Sequence, residues 1–323
     1  MSNAKDKIRI YRLDRKGKTE ILPADIDIKN HSDELLWLQL HLDGAKSYLK
    51  KNKLVPDYAI EILSAKETRP RAIVHDNTLI ATFRGVNLNV GADPEDMVAI
   101  RVWLQENLII TVSKRKMLSL EDIEEHLKKG TGPMDSGDFI EQLLSFITDK
   151  SVDVCTEVDD EIDAIEDQSI NNLKSTYDNF HGLSILRRRV IMLKRYLLPQ
   201  REAIMRIQFE KLSWLDQSNL VHLREIADAN IRVLEDLDAL RDRISVIHEE
   251  SFALSQDQLN KKMFILAIVS VIFLPLGFIT GLLGINVGGI PGASSKFAFY
   301  LVCGLLALFI LFQIWLMKKF RIL

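Results

Sequence analysis

The residues best placed to do chemistry lie in one short stretch, Leu283-Gly284-Ile285-Asn286-Val287-Gly288-Gly289-Ile290-Pro291-Gly292, between two long apolar runs. Four glycines and a proline make a tight loop that exposes its backbone, and Asn286 is its only polar side chain before Ser294. The Asn286 amide and the exposed carbonyls are oxygen dipoles without fixed charge. Arranged in a ring, they suit a cation that keeps much of its water shell, where a ring of carboxylates would hold a divalent ion too tightly to release it. Taken alone, a glycine-rich turn between two apolar runs is also what any tight hairpin needs.

Other chemistries find little support. The seven histidines (His31, His41, His75, His126, His181, His222, His248) show no HxH or HxxxH spacing, so no high-affinity zinc site is readable. His248 beside Glu249 reads first as a packing or surface residue, with contact to a passing soft cation as the other reading. Cys155 and Cys303 are far apart and form no CxxC, which excludes a disulfide scaffold or zinc ribbon and suits a reducing compartment. No catalytic triad is visible and GxxxxGK[ST] is absent, so the chain reads as a non-enzyme without ATP-driven pumping or a cofactor. A net charge of −3 argues against nucleic acid as a partner held by bulk charge.

The flanking runs decide where the loop sits. Met263 to Leu283 and Phe297 to Met317 each carry 21 residues without a charge, enough at about 1.5 Å rise per residue to cross a hydrocarbon core of roughly 30 Å. A buried hairpin of a soluble protein is the alternative, and two such runs side by side disfavour it. Lys261 and Lys262 precede the first span, Lys318, Lys319 and Arg321 follow the second, and the loop carries only Lys296. By the positive-inside rule both termini are cytoplasmic in a multi-pass protein of the inner membrane. The polar first residues show no signal-peptide pattern.

The chain ahead of the spans reads as an α/β domain, 1–137, a helical hairpin, 138–217, and a stalk helix, 218–262. The spans 263–283 and 297–317 follow, separated by the outer loop 284–296 and ended by a tail, 318–323. Ile8 to Leu13, Leu35 to Leu42, Arg71 to Val86 and Val98 to Val112 are β-rich, with turns expected at His75-Asp76-Asn77 and Gln105-Glu106-Asn107. Pro56 to Ala65 looks helical, and Ser119 with Asp122 at capping-box spacing opens a short helix that Gly130 to Gly137 breaks. In the hairpin, Asp153, Glu157, Asp159, Asp160, Glu161, Asp163, Glu166 and Asp167 face a second stretch rich in base: Arg187, Arg188, Arg189, Lys194, Arg195, Arg201 and Arg206. The acidic block reads as mutually neutralised or solvated helix faces, or else as a cation-collecting surface. From Ser218 no glycine or proline occurs until Pro275, and Leu223, Ile226, Asn230, Val233, Leu237, Leu240, Ile244, Ile247, Ser251 and Leu254 form a seam of coiled-coil type. A long stalk that runs into the bilayer suits an oligomer, since one two-span subunit cannot enclose a pore.

Together the spans, the stalk, the α/β domain and Gly284-Ile285-Asn286 resemble the CorA family of divalent-cation transporters, whose signature after the first span is Gly-Met-Asn. Leu259-Asn260-Lys261-Lys262-Met263, Phe273-Leu274-Pro275-Leu276 and Phe278-Ile279-Thr280-Gly281 match the same pattern. Ile285 replaces the methionine, Leu283 stands where an aromatic is usual, and the outer loop has no acid. These departures, with Gly-Gly-Ile-Pro-Gly following, resemble the ZntB branch, associated with zinc. The resemblance implies a funnel-shaped homopentamer whose first span lines the pore while the second faces lipid. Heptad counting then assigns Met263, Leu266, Ser270, Leu274, Gly277 and Gly281 to the pore and Asp228, Glu235, Asp238, Asp242 and Glu249 to the funnel. An ordinary solvated face is the other reading of these carboxylates, because Arg241, Arg243 and Lys261 lie nearby. Gly284, Ile285 and Asn286 become the selectivity site at the outer mouth, with Asn286 contacting the ion. The implied cargo is Zn²⁺ first, with Mg²⁺, Co²⁺ or Ni²⁺ as alternatives, driven by the membrane potential or by protons. A membrane-tethered sensor or scaffold is the rival of another class, but a tether needs no Gly-Ile-Asn.

The orientation is directly testable. A cysteine placed by Ser294→Cys, in a background without Cys155 and Cys303, should react with an impermeant thiol reagent from outside. Labelling only from the cytoplasmic side would reverse the assigned topology.

Overall fold

In the computed structural model the described residues are 8–66, 69–171, 176–285, 292 and 295–320, without the side chains of 168–171 and 176–179. The chain divides into two units, 1–248 and 249–323.

Period-two patterning builds the sheet of the first unit. Its strands are β1 (Ile8–Leu13), β2 (Thr19–Leu22), β3 (Leu35–His41), β4 (Arg71–His75), β5 (Thr78–Gly85), β6 (Val98–Leu104) and β7 (Leu108–Ser113), in the order β2-β1-β3-β7-β6-β5-β4. Only β3 and β7 pair in parallel; their registers include Trp37 opposite Ile109 and Leu38 opposite Ile110. Alternate residues of β3 enter different cores, Leu35 and Trp37 on one face and Leu36, Leu38 and Leu40 on the other. Both faces of the sheet must therefore be covered. Helices α1 (Leu42–Asn52) and α2 (Asp57–Leu63) cover one. The other carries α3 (Leu118–Lys129), α4 (Ser136–Asn171), the end of α5 (Thr176–Phe209) and the start of α6 (Gln217–Leu283). Tyr11 stacks on Trp37 with ring centroids 4.7 Å apart, and the Trp37 indole N–H donates to Thr111 Oγ1 at 3.0 Å. The result is a mixed α/β sandwich followed by long helices.

Three local features depart from the sequence expectation. The strand-like run Leu35 to Leu42 passes straight into α1, because His41 Nδ1 accepts the Asp43 N–H and caps the helix without any turn residue. The edge strand β2 is four residues long and has no clean alternation, so periodicity does not reveal it. Ser119 does not cap α3: the helix begins at Leu118 with Met117 as N-cap, Ser119 is buried in the first turn, and Asp122 turns to Lys150 at 2.6 Å.

The apolar seam of α6 packs within its own chain. Val233, Leu237, Leu240, Ile244 and Ile247 share a core with Val154, Val158 and Ile162 of α4 and Leu183, Leu186, Val190, Leu193 and Leu197 of α5. Of the expected seam, every residue from Leu223 to Ser251 is buried and Leu254 is 48% exposed. Asn230, the polar member, donates through Nδ2 to Thr148 Oγ1 of α4 at 2.7 Å, which gives the seam a register that apolar contacts alone would leave free.

In the second unit, α6 from Glu249 to its end at Leu283 is joined by α7 (Ala298–Lys319). Both helices are long and apolar enough to cross a membrane. Their outward residues, Phe273, Leu274, Phe278, Phe299, Leu308 and Leu311 among them, are largely exposed. Apolar side chains all round suit lipid rather than water as the solvent.

The Asn230–Thr148 bond predicts a coupling between α4 and α6. Asn230→Leu and Thr148→Val should each destabilise the intact protein by about 1–3 kcal/mol, since each leaves a buried polar group unpaired. The double variant should cost less than the sum of the two. Strict additivity in denaturant or thermal unfolding would remove the assigned role of the pair.

Candidate functional site

On the first apolar helix the candidate pore residues fall on the face turned away from the second. At 3.6 residues per turn, Ile268, Ile272, Pro275, Leu276 and Ile279 form one stripe of α6, and these are the partly shielded positions. The corresponding stripe of α7 is Val302, Leu306, Phe309, Ile310, Gln313, Ile314 and the buried Met317. A hydrogen bond joins the helices, Gln313 Nε2 donating to the Val271 carbonyl at 3.1 Å. Met263, Leu266, Ser270, Leu274, Gly277 and Gly281 lie roughly half a turn from the shielded stripe and are all exposed in the single chain.

That free face combines the small Ser270, Gly277 and Gly281 with the apolar Met263, Leu266 and Leu274 and carries no charge. Ser270 Oγ donates to the Leu266 carbonyl at 2.9 Å, and beside the face Thr280 Oγ1 donates to Leu276 at 2.9 Å and Gly277 at 3.2 Å. Their protons are thus committed to the helix backbone. A Cβ at Gly277 or Gly281 would meet nothing within 4 Å, so packing inside the chain does not require glycine there. At the helix end, the Gly284 N–H donates to the Thr280 and Gly281 carbonyls at 2.9 and 3.1 Å. Ile285 follows, 49% exposed. Asn286, the expected ion contact, and Ser294 lie outside the described residues.

The five candidate funnel carboxylates differ in their partners. All lie away from the buried seam of α6, with Asp228, Glu235, Asp242 and Glu249 exposed and Asp238 half-buried. Asp238 pairs with Lys194 of α5 and with Arg241 at 3.3 Å; the Lys194 ammonium, more than Arg241, holds its carboxyl below the usual range. Asp242 accepts from Arg241 at 2.9 Å. Asp228, Glu235 and Glu249 form no ion pair among the described residues. Two of the five charges are therefore compensated inside the subunit.

Part of the acidic block of α4 pairs with bases of α6 and α5. Arg243 pairs with Asp159 at 2.8 Å, with Asp163 at 2.5 Å and with Glu166, while from α5 Arg189 reaches Glu161 at 2.6 Å. Cys155 lies beside Asp159, Asp236 and Arg243 on a cleft of about 280 Å³. Burial first, then Asp236 and Asp159, push its thiol up to about 11, so the free thiol stays protonated near neutrality. Among the described residues no group of three His, Cys, Asp or Glu side chains could hold a metal ion. His248 is exposed and stands edge-on to Phe180, centroids 5.0 Å apart.

Arg241, close to the funnel carboxylates in the sequence, accounts for Asp242, whereas Gln313 and the pairing of Asp238 with Lys194 were not foreseen. A lone amide inside an apolar run is a visible signal for the first. The second needs the packing of α5 on α6.

Comparison with known proteins gives a consistent picture. The family model for "CorA-like Mg2+ transporter protein" matches residues 32–319. The zinc transport protein ZntB of Pectobacterium carotovorum is 35% identical over 316 residues, 97% of this chain and 94% of that protein. The divalent cation transporter CmaX of Pseudomonas aeruginosa is 35% identical over 312 residues, 95% of this chain and 92% of its own length. Among solved structures, full-length CmaX superposes with a TM-score of 0.84 at 32% identity, covering 99% of this chain and all of that one. The CorA magnesium transporter of Methanocaldococcus jannaschii has the same fold, with a TM-score of 0.80 at 15% identity and 99% coverage of both chains. With two long apolar helices, the sequence Gly284-Ile285-Asn286 between them, a long preceding helix and a mixed α/β sandwich, the chain belongs to the family of CorA-like Mg²⁺ transporter proteins.

Proposed function

We propose that this protein carries divalent metal cations, zinc first, across the inner membrane through a homopentameric pore lined by α6, with both termini in the cytoplasm. Membership of a transporter family supports the divalent-cation reading, and the ZntB and CmaX relatives at 35% identity support zinc or a similar ion. The observation that carries the pore is the free face of α6: small and apolar side chains with no charge, turned away from α7 and ending at Gly284. Five copies of such a face around an axis would make an uncharged lumen with no strong binding site for a hydrated ion. A ring of Asn286 amides at its mouth would supply oxygen dipoles that sort ions by how they hold water. A membrane potential contributes about 2.3 kcal/mol per charge per 100 mV, so about 4.6 kcal/mol for a divalent ion. At 1.4 kcal/mol per tenfold that drives on the order of a thousandfold accumulation without protons.

Flux into proteoliposomes of the purified protein tests this reading. Zn²⁺ should pass faster than Mg²⁺ and Ni²⁺, and a pH gradient imposed at zero potential distinguishes proton coupling from simple conduction. Asn286→Ala should reduce flux at least tenfold in an oligomer that remains assembled, on the order of what losing one well-placed polar contact costs. Wild-type flux through that variant would remove Asn286 from the ion path, and preference for Mg²⁺ would move the protein to the magnesium side of its family.

The unpaired carboxylates make a separate prediction. Five copies of Asp228 and Glu235 would give the funnel a negative interior that concentrates cations within a Debye length, about 8 Å at physiological salt. Asp228→Asn combined with Glu235→Gln should lower flux about twofold or more at low ionic strength, with the deficit closing as salt rises. Stability should hardly change, because both side chains are exposed. Equal flux at low salt would return these acids to an ordinary solvated face.

A further inference from the structure

Pro275 leaves a gap in the hydrogen bonding of α6. Proline has no N–H, so the carbonyl four residues earlier, that of Val271, loses its helical donor. In hydrocarbon no water takes the donor's place, and an unsatisfied carbonyl there is costly. The helix nevertheless continues across Pro275. The Val271 carbonyl accepts instead from Gln313 Nε2 of α7, at 3.1 Å. Gln313 is the only amide side chain of α7. Its orientation follows from chemistry, since only the NH₂ end can face a carbonyl. The Oε1 atom is buried and has no hydrogen-bond partner among the described residues. An apolar side chain would avoid burying that oxygen, so the amide is stabilising only through the bond it donates.

We propose that Gln313 is a positioning residue for transport: its side chain replaces the donor missing at Pro275 and holds the hinge of the pore helix in one geometry. Resting on the pore reading above, this assigns a task to a residue of the helix that does not line the pore. Val271 immediately follows Ser270 on α6, and the part of the helix beyond Pro275 carries Gly277, Gly281 and the Gly284-Ile285 end. A hinge with an unpaired carbonyl can swing, and the small-residue face would swing with it. Gln313 should therefore govern how fast ions pass and leave how tightly they first bind to other residues.

A double-mutant cycle with Pro275 tests the assignment. Gln313→Leu removes the donor, whereas Pro275→Ala returns an N–H to position 275 and makes the outside donor unnecessary. In proteoliposomes, Gln313→Leu should lower maximal Zn²⁺ flux per assembled oligomer about three- to tenfold, the range of a membrane hydrogen bond, with half-saturation unchanged. In the Pro275→Ala background the same change should have no further effect on flux, and melting temperatures should show the same non-additivity. If Gln313→Leu fails to assemble, the Pro275→Ala/Gln313→Leu protein should assemble, and Gln313→Met provides a second donor-free single variant. Unchanged flux with a lowered melting temperature would reduce Gln313 to helix–helix glue and overturn the proposal. The same fractional flux loss in both backgrounds would overturn it as well. A wild type that passes no divalent ion would defeat the transport reading instead, and the hinge bond itself would then stand or fall on melting temperatures alone.

Discussion

Hydrocarbon offers no hydrogen bonds, and that constraint governs the end of this chain that meets the membrane. Each backbone N–H and C=O of α6 between Met263 and Leu283 must find its partner inside the protein, which only an unbroken helix or a neighbouring side chain can provide. Inside the helix Pro275 interrupts that bonding, and there the amide of α7 takes the vacant place. Its hydroxyls, Ser270 and Thr280, bond back to the helix and add no further demand. Backbone that departs from helix is deferred to the Gly284 end, where glycine lets the Thr280 and Gly281 carbonyls share one N–H.

The first unit solves a different problem with water as its solvent. A sheet buried on both faces needs two helical layers, and the chain provides them by leaving the sheet after β3 and again after β7, the two strands that run parallel. The second layer lengthens into α4, α5 and α6, whose shared core is largely aliphatic, with Cys155 in it and the Asn230–Thr148 pair among the few buried polar groups of these helices. Charge is handled at the rim of that core. One arginine of α6, Arg243, faces three carboxylates of α4, raising its own already high affinity for a proton through Glu166 and then Asp163. Most of these groups are well exposed, so they orient the helices and add little stability.

Much of the architecture is legible in the sequence because it rests on periodicity and composition. Alternation marked β1 and β3 to β7, uncharged length marked the two apolar helices, and the three-four spacing from Leu223 to Ser251 marked the buried stripe of α6. The misses have local causes. Strand β3 turns into α1 on a histidine cap, β2 is too short to show a period, and Ser119 has the spacing of a cap while Met117 occupies the position. The candidate pore stripe could be counted from the sequence, yet its being the face left free by α7 depends on how the two helices pair.

By itself, then, the sequence determined which segments seek lipid, which strands alternate and where glycine, proline and asparagine cluster, because those properties belong to residues and their near neighbours. Tertiary structure alone decided which charges on different helices meet. Sequence set the acids of α4 against the bases of α5, and packing gave the central role to Arg243 of α6, about 80 residues away, and placed Lys194 of α5 against Asp238. It likewise joined Gln313 to a carbonyl 42 residues earlier. Such pairings leave no local trace, since a side chain's partner across a helix interface is chosen by the rotation and offset of whole helices, which the seams and stripes fix only when they are packed.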